Sequence, residues 1–405
     1  MPYPKPTERP RNPCFSCGPC AKRPGWTPQA LAGAALGRSH RSRAGHEKLA
    51  QAIAETRELL RVPADYRLAI LPASDTGAME LAMWSLLGPL PVDVLAFESF
   101  SNGWAYDISG ELRLDARVFA APFGELSDLS RIDPDHDLVF AWNGTTSGVR
   151  VPNADFISNR RRGLTLCDAT SAAFMQPLDF AKLDATTFSW QKALGGEAGF
   201  GMLILSPRAI ERLRTHRPAW PMPKIFRLTK DGALIDQLFE GATINTPSLL
   251  CVEDFLDALA WARSVGGLDG LRRRVAANAA VVARWVETSR AFTFLAKDPA
   301  TRSDTSVCLE FADPHMAKAP REERAALAAE IVARLETECA GHDVGAYRDA
   351  PPGLRLWSGP TVEAADLALL TGWIDWAYAQ AVEALGRARE APASARGLTP
   401  RRYGA

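Results

Sequence analysis

Three absences narrow what this 405-residue chain can be. It has no excess of either charge, with 47 Lys and Arg against 47 Asp and Glu. Proteins that bind nucleic acid or anionic membrane ordinarily carry a basic excess, so neither partner is expected. The same balance leaves no net repulsion between copies, and an oligomer is expected. No apolar stretch approaches the roughly 20 residues of a spanning helix. The opening MPYPKPTERPRNP is polar and proline-rich, without the apolar core of a secretion signal. The compartment expected from this is the cytoplasm. The seven cysteines are an odd number, poor material for a disulfide framework. Cys14, Cys17 and Cys20 form a C-x2-C-x2-C run, but Ala21 to Arg23 stand where a ferredoxin-type run would bring a further Cys followed by Pro. No metal site is expected, and the thiols are read as free.

What is present is ordinary globular material, 47% apolar and 23% charged, in a length that predicts two domains. Residues 1–30 read as an extended arm. Short apolar runs then follow one another: RLAILPAS (67–74), DVLAFESF (93–100), ARVFAAPF (116–123), DLVFAWNG (137–144), GLTLCDAT (163–170), ATTFSWQK (185–192) and GMLILS (201–206). Most lack strict alternation, as strands buried on both faces do. Helical patterns lie between some of them, as at 77–88, so 31–267 is read as an α/β domain with a mainly parallel sheet. Helical periodicity at 248–265 ends at Gly266 and Gly267, and an amphipathic helix over 268–289 leads into a smaller α+β domain (268–385). That domain shows one clear strand, TSVCLEF (305–311), and helices near 320–340 and 362–385. The last stretch, 386–405, has no apolar period and reads as a disordered tail.

The chemistry concentrates in FSWQKALGGEAGFGMLIL (188–205), where one lysine, Lys192, follows a strand-like run and precedes glycines. At a sheet edge such a lysine can keep its stem dry, and desolvation then leaves neutral amine for Schiff-base chemistry. Read alone it could equally be a solvated surface charge. Asp168 ends a buried run 24 residues earlier, where a carboxylate wants a cationic partner such as a protonated pyridine nitrogen; the alternative is a turn cap. ILPASDTGAMELAMW (70–84) runs strand, polar loop, glycine, helix. Its first-turn amides, with the hydroxyls of Ser74 and Thr76, would suit a phosphate, unless it is only a well-capped helix. Trp104, just past another strand, offers a flat ring for stacking.

The ordered motifs SDTGA, NGWA, NGTTSGV, CDATSA, SWQKALGG and INTPS, with NPCFSCGP, GRSHRSR and GLRLWSG outside them, cover roughly residues 10–385. In that order they resemble the class V branch of the fold-type I pyridoxal-phosphate aminotransferases, and within it the phosphoserine aminotransferase family. The resemblance implies pyridoxal 5'-phosphate as cofactor, Lys192 as its Schiff-base lysine and proton carrier, and Asp168 at the pyridine nitrogen. It further implies Trp104 on the ring, Thr145 near the ring hydroxyl, and Asp75 and Thr76 at the phosphate with Gln191 close by. Asn245 and Thr246 would reach the phosphate in a neighbouring subunit, so a homodimer with shared sites is implied.

For substrate, the resemblance implies ping-pong exchange of 3-phosphohydroxypyruvate and L-glutamate with O-phospho-L-serine and 2-oxoglutarate; part of the family also uses a phosphorylated substrate of pyridoxine synthesis. Arg355 in GLRLWSG matches the arginine that grips the α-carboxylate, a task suited to a bidentate guanidinium. His40, Arg41 and Arg43 match the distal-anion cluster, and Arg348 stands beside Tyr347 where relatives carry a His-Arg pair. Two positions depart from the pattern: Cys17 replaces a serine, and Tyr347 replaces the histidine. Three rivals stay open: an alanine/serine–glyoxylate-type aminotransferase, a cysteine desulfurase-like lyase, and a non-catalytic binding module. The distal cations argue against the first, and the apolar surroundings of Cys308 against the second. The pairing of Lys192 with Asp168 argues against the third.

Overall fold

The computed structural model of the protein describes residues 3–390. Seven strands form the large sheet: β1 (Arg67–Pro72), β2 (Val92–Ala96), β3 (Ala116–Ala120), β4 (Asp137–Ala141), β5 (Thr165–Asp168), β6 (Ala185–Ser189) and β7 (Phe200–Leu205). Each falls within one of the seven apolar runs or one residue beyond it. Their spatial order is β1-β7-β6-β5-β4-β2-β3. The pairs β2–β3, β2–β4, β4–β5 and β5–β6 are parallel, whereas β7 is antiparallel to both β1 and β6. β1 therefore runs in the same direction as β6, and β7 alone is reversed.

Continuous apolar runs are needed because both faces of this sheet are covered. On β1, Leu68 and Ile70 enter one hydrophobic core while Ala69 and Leu71 enter the other, on the opposite face. Helix α1 (Arg43–Leu60) is started by Ser42, whose hydroxyl accepts the Gly45 N–H at 3.2 Å. Helix α2 (Ser74–Leu86) lies across β6 and β7, and α3 (Ser99–Tyr106) follows β2. After α4 (Pro207–Thr215), helix α5 (Leu249–Ser264) packs on α1, and α6 (Gly267–Thr288) carries the chain away from the large sheet.

The second layer is a three-stranded antiparallel sheet of β8 (Phe292–Phe294), β9 (Ser306–Phe311) and β10 (Leu354–Trp357). Only β9 is long enough to be expected from sequence; its neighbours have three and four residues. Helices α7 (Arg321–Thr337) and α8 (Ala364–Glu390) complete this layer. The tail expected from residue 386 starts later than that, because α8 continues through Glu390. GRARE (386–390) holds four good helix formers, and extending an existing helix avoids the cost of nucleation. The rest of that stretch lies outside the described residues.

The N-terminal arm is fastened to this second layer. Asp366 accepts the amides of Arg11 and Asn12, and Glu338 pairs with Lys5 and Arg9. The Trp373 indole donates to the Glu8 carbonyl at 2.8 Å, and Trp357 N–H donates to the Phe15 carbonyl at 3.1 Å.

One close approach fixes the start of α2. A Cβ on Gly201 of β7 would lie 2.2 Å from the Ser74 carbonyl oxygen and 2.8 Å from Ala78 Cβ. Only glycine lets the helix sit this near the strand. Gly201→Ala is therefore expected to cost about 1–3 kcal/mol, measured as a lower urea midpoint with an unchanged slope.

Candidate active site

Because β1 to β6 share a direction, the residues just past their carboxyl ends meet at one edge of the sheet, where ligands of open α/β sheets bind. After β1 come Ser74, Asp75 and Thr76; after β2, Glu98 and Trp104; after β4, Asn143 and Thr145. Asp168 is the last residue of β5, and Gln191 and Lys192 follow β6. All of these line one cavity of about 180 Å3, with Gly18 of the arm, Phe100, Thr170, Ser171 and Ser189.

The chain reaches Lys192 from β6 and turns at once, with Gly195 N–H donating to the Lys192 carbonyl at 3.0 Å. Gly195 has φ +66, and a Cβ there would meet the Ala21 carbonyl oxygen at 2.2 Å, so the arm can lie directly against this turn. Lys192 is only 7% exposed, and its amine donates to the Cys17 carbonyl of the arm. A Cβ on Gly18 would lie 2.8 Å from Lys192 Nζ. Burial holds this amine below the ordinary lysine value. The Cys20 and Cys17 thiols oppose that shift, and the Arg355 guanidinium adds to it.

Asp168 is held by two donors, the Thr170 N–H at 2.9 Å and the Trp104 indole Nε1 at 3.4 Å. Thr145 Oγ1 donates to Ser171 Oγ at 2.9 Å, and Ser171 in turn donates to the Asn143 carbonyl. At the start of α2, Ala73 and Ser74 are both left-handed, with φ 66 and 54. That is strained for residues with a Cβ, and it rotates the first turn toward the cavity. The amides of Asp75 and Thr76 precede the first bond of the helix, Gly77 N–H to Ala73 carbonyl, and are free to cup an anion. The Asp75 side chain does not join that cup; it turns toward Asp168, Thr170 and Thr187.

Arg355 reaches the site from β10. Its guanidinium lies 5.5 Å from the Tyr347 ring, which lies 5.7 Å from the Phe100 ring. Its Nε is buried without a partner, a cation prepared for an anion. The other expected cations are elsewhere. Arg41 and Arg43 are exposed, Arg43 pairing with Glu47 at 2.7 Å, and His40 is half-buried. Arg348 is exposed beside Tyr347, and Asn245 and Thr246 are exposed. None of these six lines the cavity of its own chain.

Glu98, Asn143, Ser171 and the Cys17 carbonyl were not anticipated. Glu98 had a readable signal, because Glu98 and Ser101 form a reciprocal cap at the start of α3. The thiols stay unactivated: Cys308 is buried and its pKa is pushed up by that burial, the reverse of what a nucleophilic cysteine needs. Among the described residues no cluster of His, Cys, Asp and Glu is arranged to hold a metal ion.

The donor set fits pyridoxal phosphate in particular. It has a desolvated amine at one end, a donor-held carboxylate in the middle and free helix amides at the other side. The buried, unpartnered Gln191 Oε1 and Thr170 Oγ1 are further polar groups awaiting a ligand. Comparison with known proteins agrees. The sequence model of the class-V aminotransferases matches residues 123–341. Phosphoserine aminotransferases of Methanosarcina barkeri and Methanosarcina mazei are each 54% identical, over 92% of this chain and 99% of theirs. A solved phosphoserine aminotransferase from Cytophaga hutchinsonii superposes with a TM-score of 0.75 at 24% identity, covering 89% of this chain and 98% of that one. One from Bacillus circulans subsp. alkalophilus gives 0.73 at 19%, over 95% and 100%; at these identities the two structures speak for the fold alone. The chain belongs to the class-V aminotransferases, pyridoxal-phosphate enzymes of fold-type I, and within them to the phosphoserine aminotransferase family.

Glu98 yields a test of the site's electrostatics. It is buried, accepts the Ser101 N–H at 2.7 Å and the Thr146 hydroxyl at 2.9 Å, and burial nonetheless raises its pKa to about 7. A carboxyl raised on folding binds more protons folded than unfolded, so its contribution to stability falls as pH rises from about 4.5 to 7. Glu98→Gln removes that slope. Between pH 4.5 and 8 the variant should gain on the wild type by up to about 3 kcal/mol, read from paired unfolding curves of the apoproteins.

Proposed function

We propose that this enzyme interconverts 3-phosphohydroxypyruvate and L-glutamate with O-phospho-L-serine and 2-oxoglutarate, using pyridoxal 5'-phosphate bound in the cavity at Lys192. The observation that carries the reading is the meeting of Lys192, Asp168 and the α2 amides at one sheet edge, with the Arg355 guanidinium of β10 close enough to influence the amine. The near full-length likeness to the two Methanosarcina enzymes supports the substrate. In this reading the domains divide as an N-terminal arm 1–30, a large domain 31–267 and a smaller one 268–385.

When bound, the cofactor supplies a carbonyl for the amino group and a ring that holds the electron pair released at Cα. Lys192 holds the cofactor and, once the substrate amine displaces it, is the base at the substrate Cα. Its burial lowers the pKa of Nζ, which favours the neutral form that can take that proton. Asp168, oriented by Thr170 and Trp104, would hold the ring nitrogen, and the Trp104 indole would offer its face to the ring. The amides of Asp75 and Thr76 hold the phosphate, with Gln191 and Thr145 at the remaining polar edges. Arg355 takes the α-carboxylate.

The distal phosphate needs cations that one chain does not bring to its own cavity. We assign His40, Arg41, Arg43 and Arg348 to this anion, and Asn245 and Thr246 to the phosphate of the cofactor, across a homodimer. Their exposure away from their own cavity favours that arrangement. The working compartment of such an enzyme, with no membrane or nucleic-acid partner, is the cytoplasm.

Two experiments test the reading. Glutamate alone should bleach the visible band of the reconstituted enzyme, and 3-phosphohydroxypyruvate should restore it. Lys192→Ala should show neither band nor turnover, and serine or alanine should compete poorly with O-phosphoserine. A band insensitive to both substrates would defeat the substrate assignment. For the shared site, co-expressed Lys192→Ala and Arg41→Ala subunits should recover about a quarter of wild-type turnover, since hybrid dimers hold one intact site. If Arg41 served its own chain, no recovery would occur.

A further inference from the structure

Asp75 is the one ionisable group of the cavity that neither the cofactor reading nor the fold accounts for. An acid in the first turn of a helix ordinarily faces solvent or caps an amide. Asp75 is 6% exposed, and neither of its carboxyl oxygens has a hydrogen bond of good geometry. Its surroundings are the Thr170 and Thr187 hydroxyls and the carboxyl of Asp168. Two carboxyls in contact and out of water do not both ionise; one proton stays with the pair. The donors decide where. Asp168 receives the Thr170 N–H and the Trp104 indole, both of which stabilise an anion, whereas Asp75 receives neither. The other titratable groups around the pair add no cation on the Asp75 side. Cys167 is a buried thiol with a raised pKa, Glu98 is a buried acid on the Asp168 side, and the Lys192 amine, its pKa lowered by burial, points to the Cys17 carbonyl.

We infer that Asp75 is a positioning residue for the ring nitrogen: it keeps the shared proton and donates it in a hydrogen bond to Asp168, which faces the cofactor as the anion. This rests on Asp168 serving the ring nitrogen. A neutral donor behind Asp168 fixes its rotamer and draws off part of its basicity, so the ring nitrogen meets a carboxylate of set direction and strength. It also explains how an acid can stand in the first turn of an anion cup without repelling the phosphate: it is turned away and uncharged. The pyridinium proton and the pair's proton are separate, and neither leaves its site during turnover.

The test has two parts. Infrared difference spectra of the apoprotein at pH 8, wild type against Asp75→Asn, should show a carboxylic-acid carbonyl stretch in the wild type that the isosteric variant lacks. If the variant loses no carboxylic-acid stretch, the pair holds no proton and the inference fails, whatever the cofactor does. The second part reads cofactor binding. Asp75→Asn, whose amide can still donate to Asp168, should bind pyridoxal phosphate within about threefold of wild type. Asp75→Ala should bind about tenfold or more weakly and move the pH titration of the visible band, since a bond to a charged acceptor is lost. If Asp75→Ala binds and titrates as wild type does, Asp75 has no positioning role. Asp168→Asn is the control. If that variant binds the cofactor with unaltered affinity and spectrum, the ring-nitrogen reading of Asp168 is at fault, and the infrared result for Asp75 stands apart from it.

Discussion

A single reversed strand organises this protein. β7 is antiparallel to both neighbours, so β1, at the edge beyond it, keeps the direction of β2 to β6. Six carboxyl ends then open on one edge, and groups from five separate strand ends face one another. Were β1 reversed, the strained turn at Ala73 and Ser74 and the free amides after it would lie at the far edge of the sheet. The amine at Lys192 and the anion cup are brought together by that one choice of direction, and Gly201 on β7 is what permits α2 to lie close enough to use it.

The same edge collects charge in an unusual proportion. Three carboxyls, Asp75, Glu98 and Asp168, share a small cavity with one amine. Burial shifts the groups toward their neutral forms, upward for Asp75 and Glu98 and downward for Lys192. Of the three, only Asp168 has a backbone N–H and an indole N–H aimed at it together. The second layer contributes the opposite sign. Arg355 on β10 keeps an unpartnered guanidinium nitrogen facing the seam, so the site is asymmetric, with anion-holding groups around its rim and a carboxylate beneath.

Much of this was legible in the chain itself. Strands buried on both faces need continuous apolar residues, and for that reason all seven runs could be found before any coordinates. β8 and β10 could not, being three and four residues whose pairing depends on β9. Helix α3 was also hidden, because SFSNGWAY has no apolar period; a cap between Glu98 and Ser101 and the burial of Trp104 hold it. Lys192 and Asp168 stood out because one follows a strand and the other ends one. The direction of the Asp75 side chain had no signal, since an acid in a first helical turn reads as a partner of the helix dipole whichever way it points. Nor does one chain's sequence say whose cavity Arg41 serves.

The arm carries a consequence for how the protein is made. Residues 5–17 are bound by Glu338, His342, Trp357, Asp366 and Trp373, and two residues of that arm, Cys17 and Gly18, rest against Lys192. These residues precede every strand of the large sheet, yet their partners here lie beyond all of them, between Glu338 and Trp373. The large sheet has all its strands by Leu205, and Gln191, Asp254 and Asp257 hold residues 20–23 of the arm, but residues 5–15 gain their anchors only when the second layer, α8 included, has been made. The cavity wall beside Lys192 is thus held in part from the far side of the chain, and a product truncated before α8 keeps its lysine but loses the Asp366 and Trp373 anchors of the arm that rests on it.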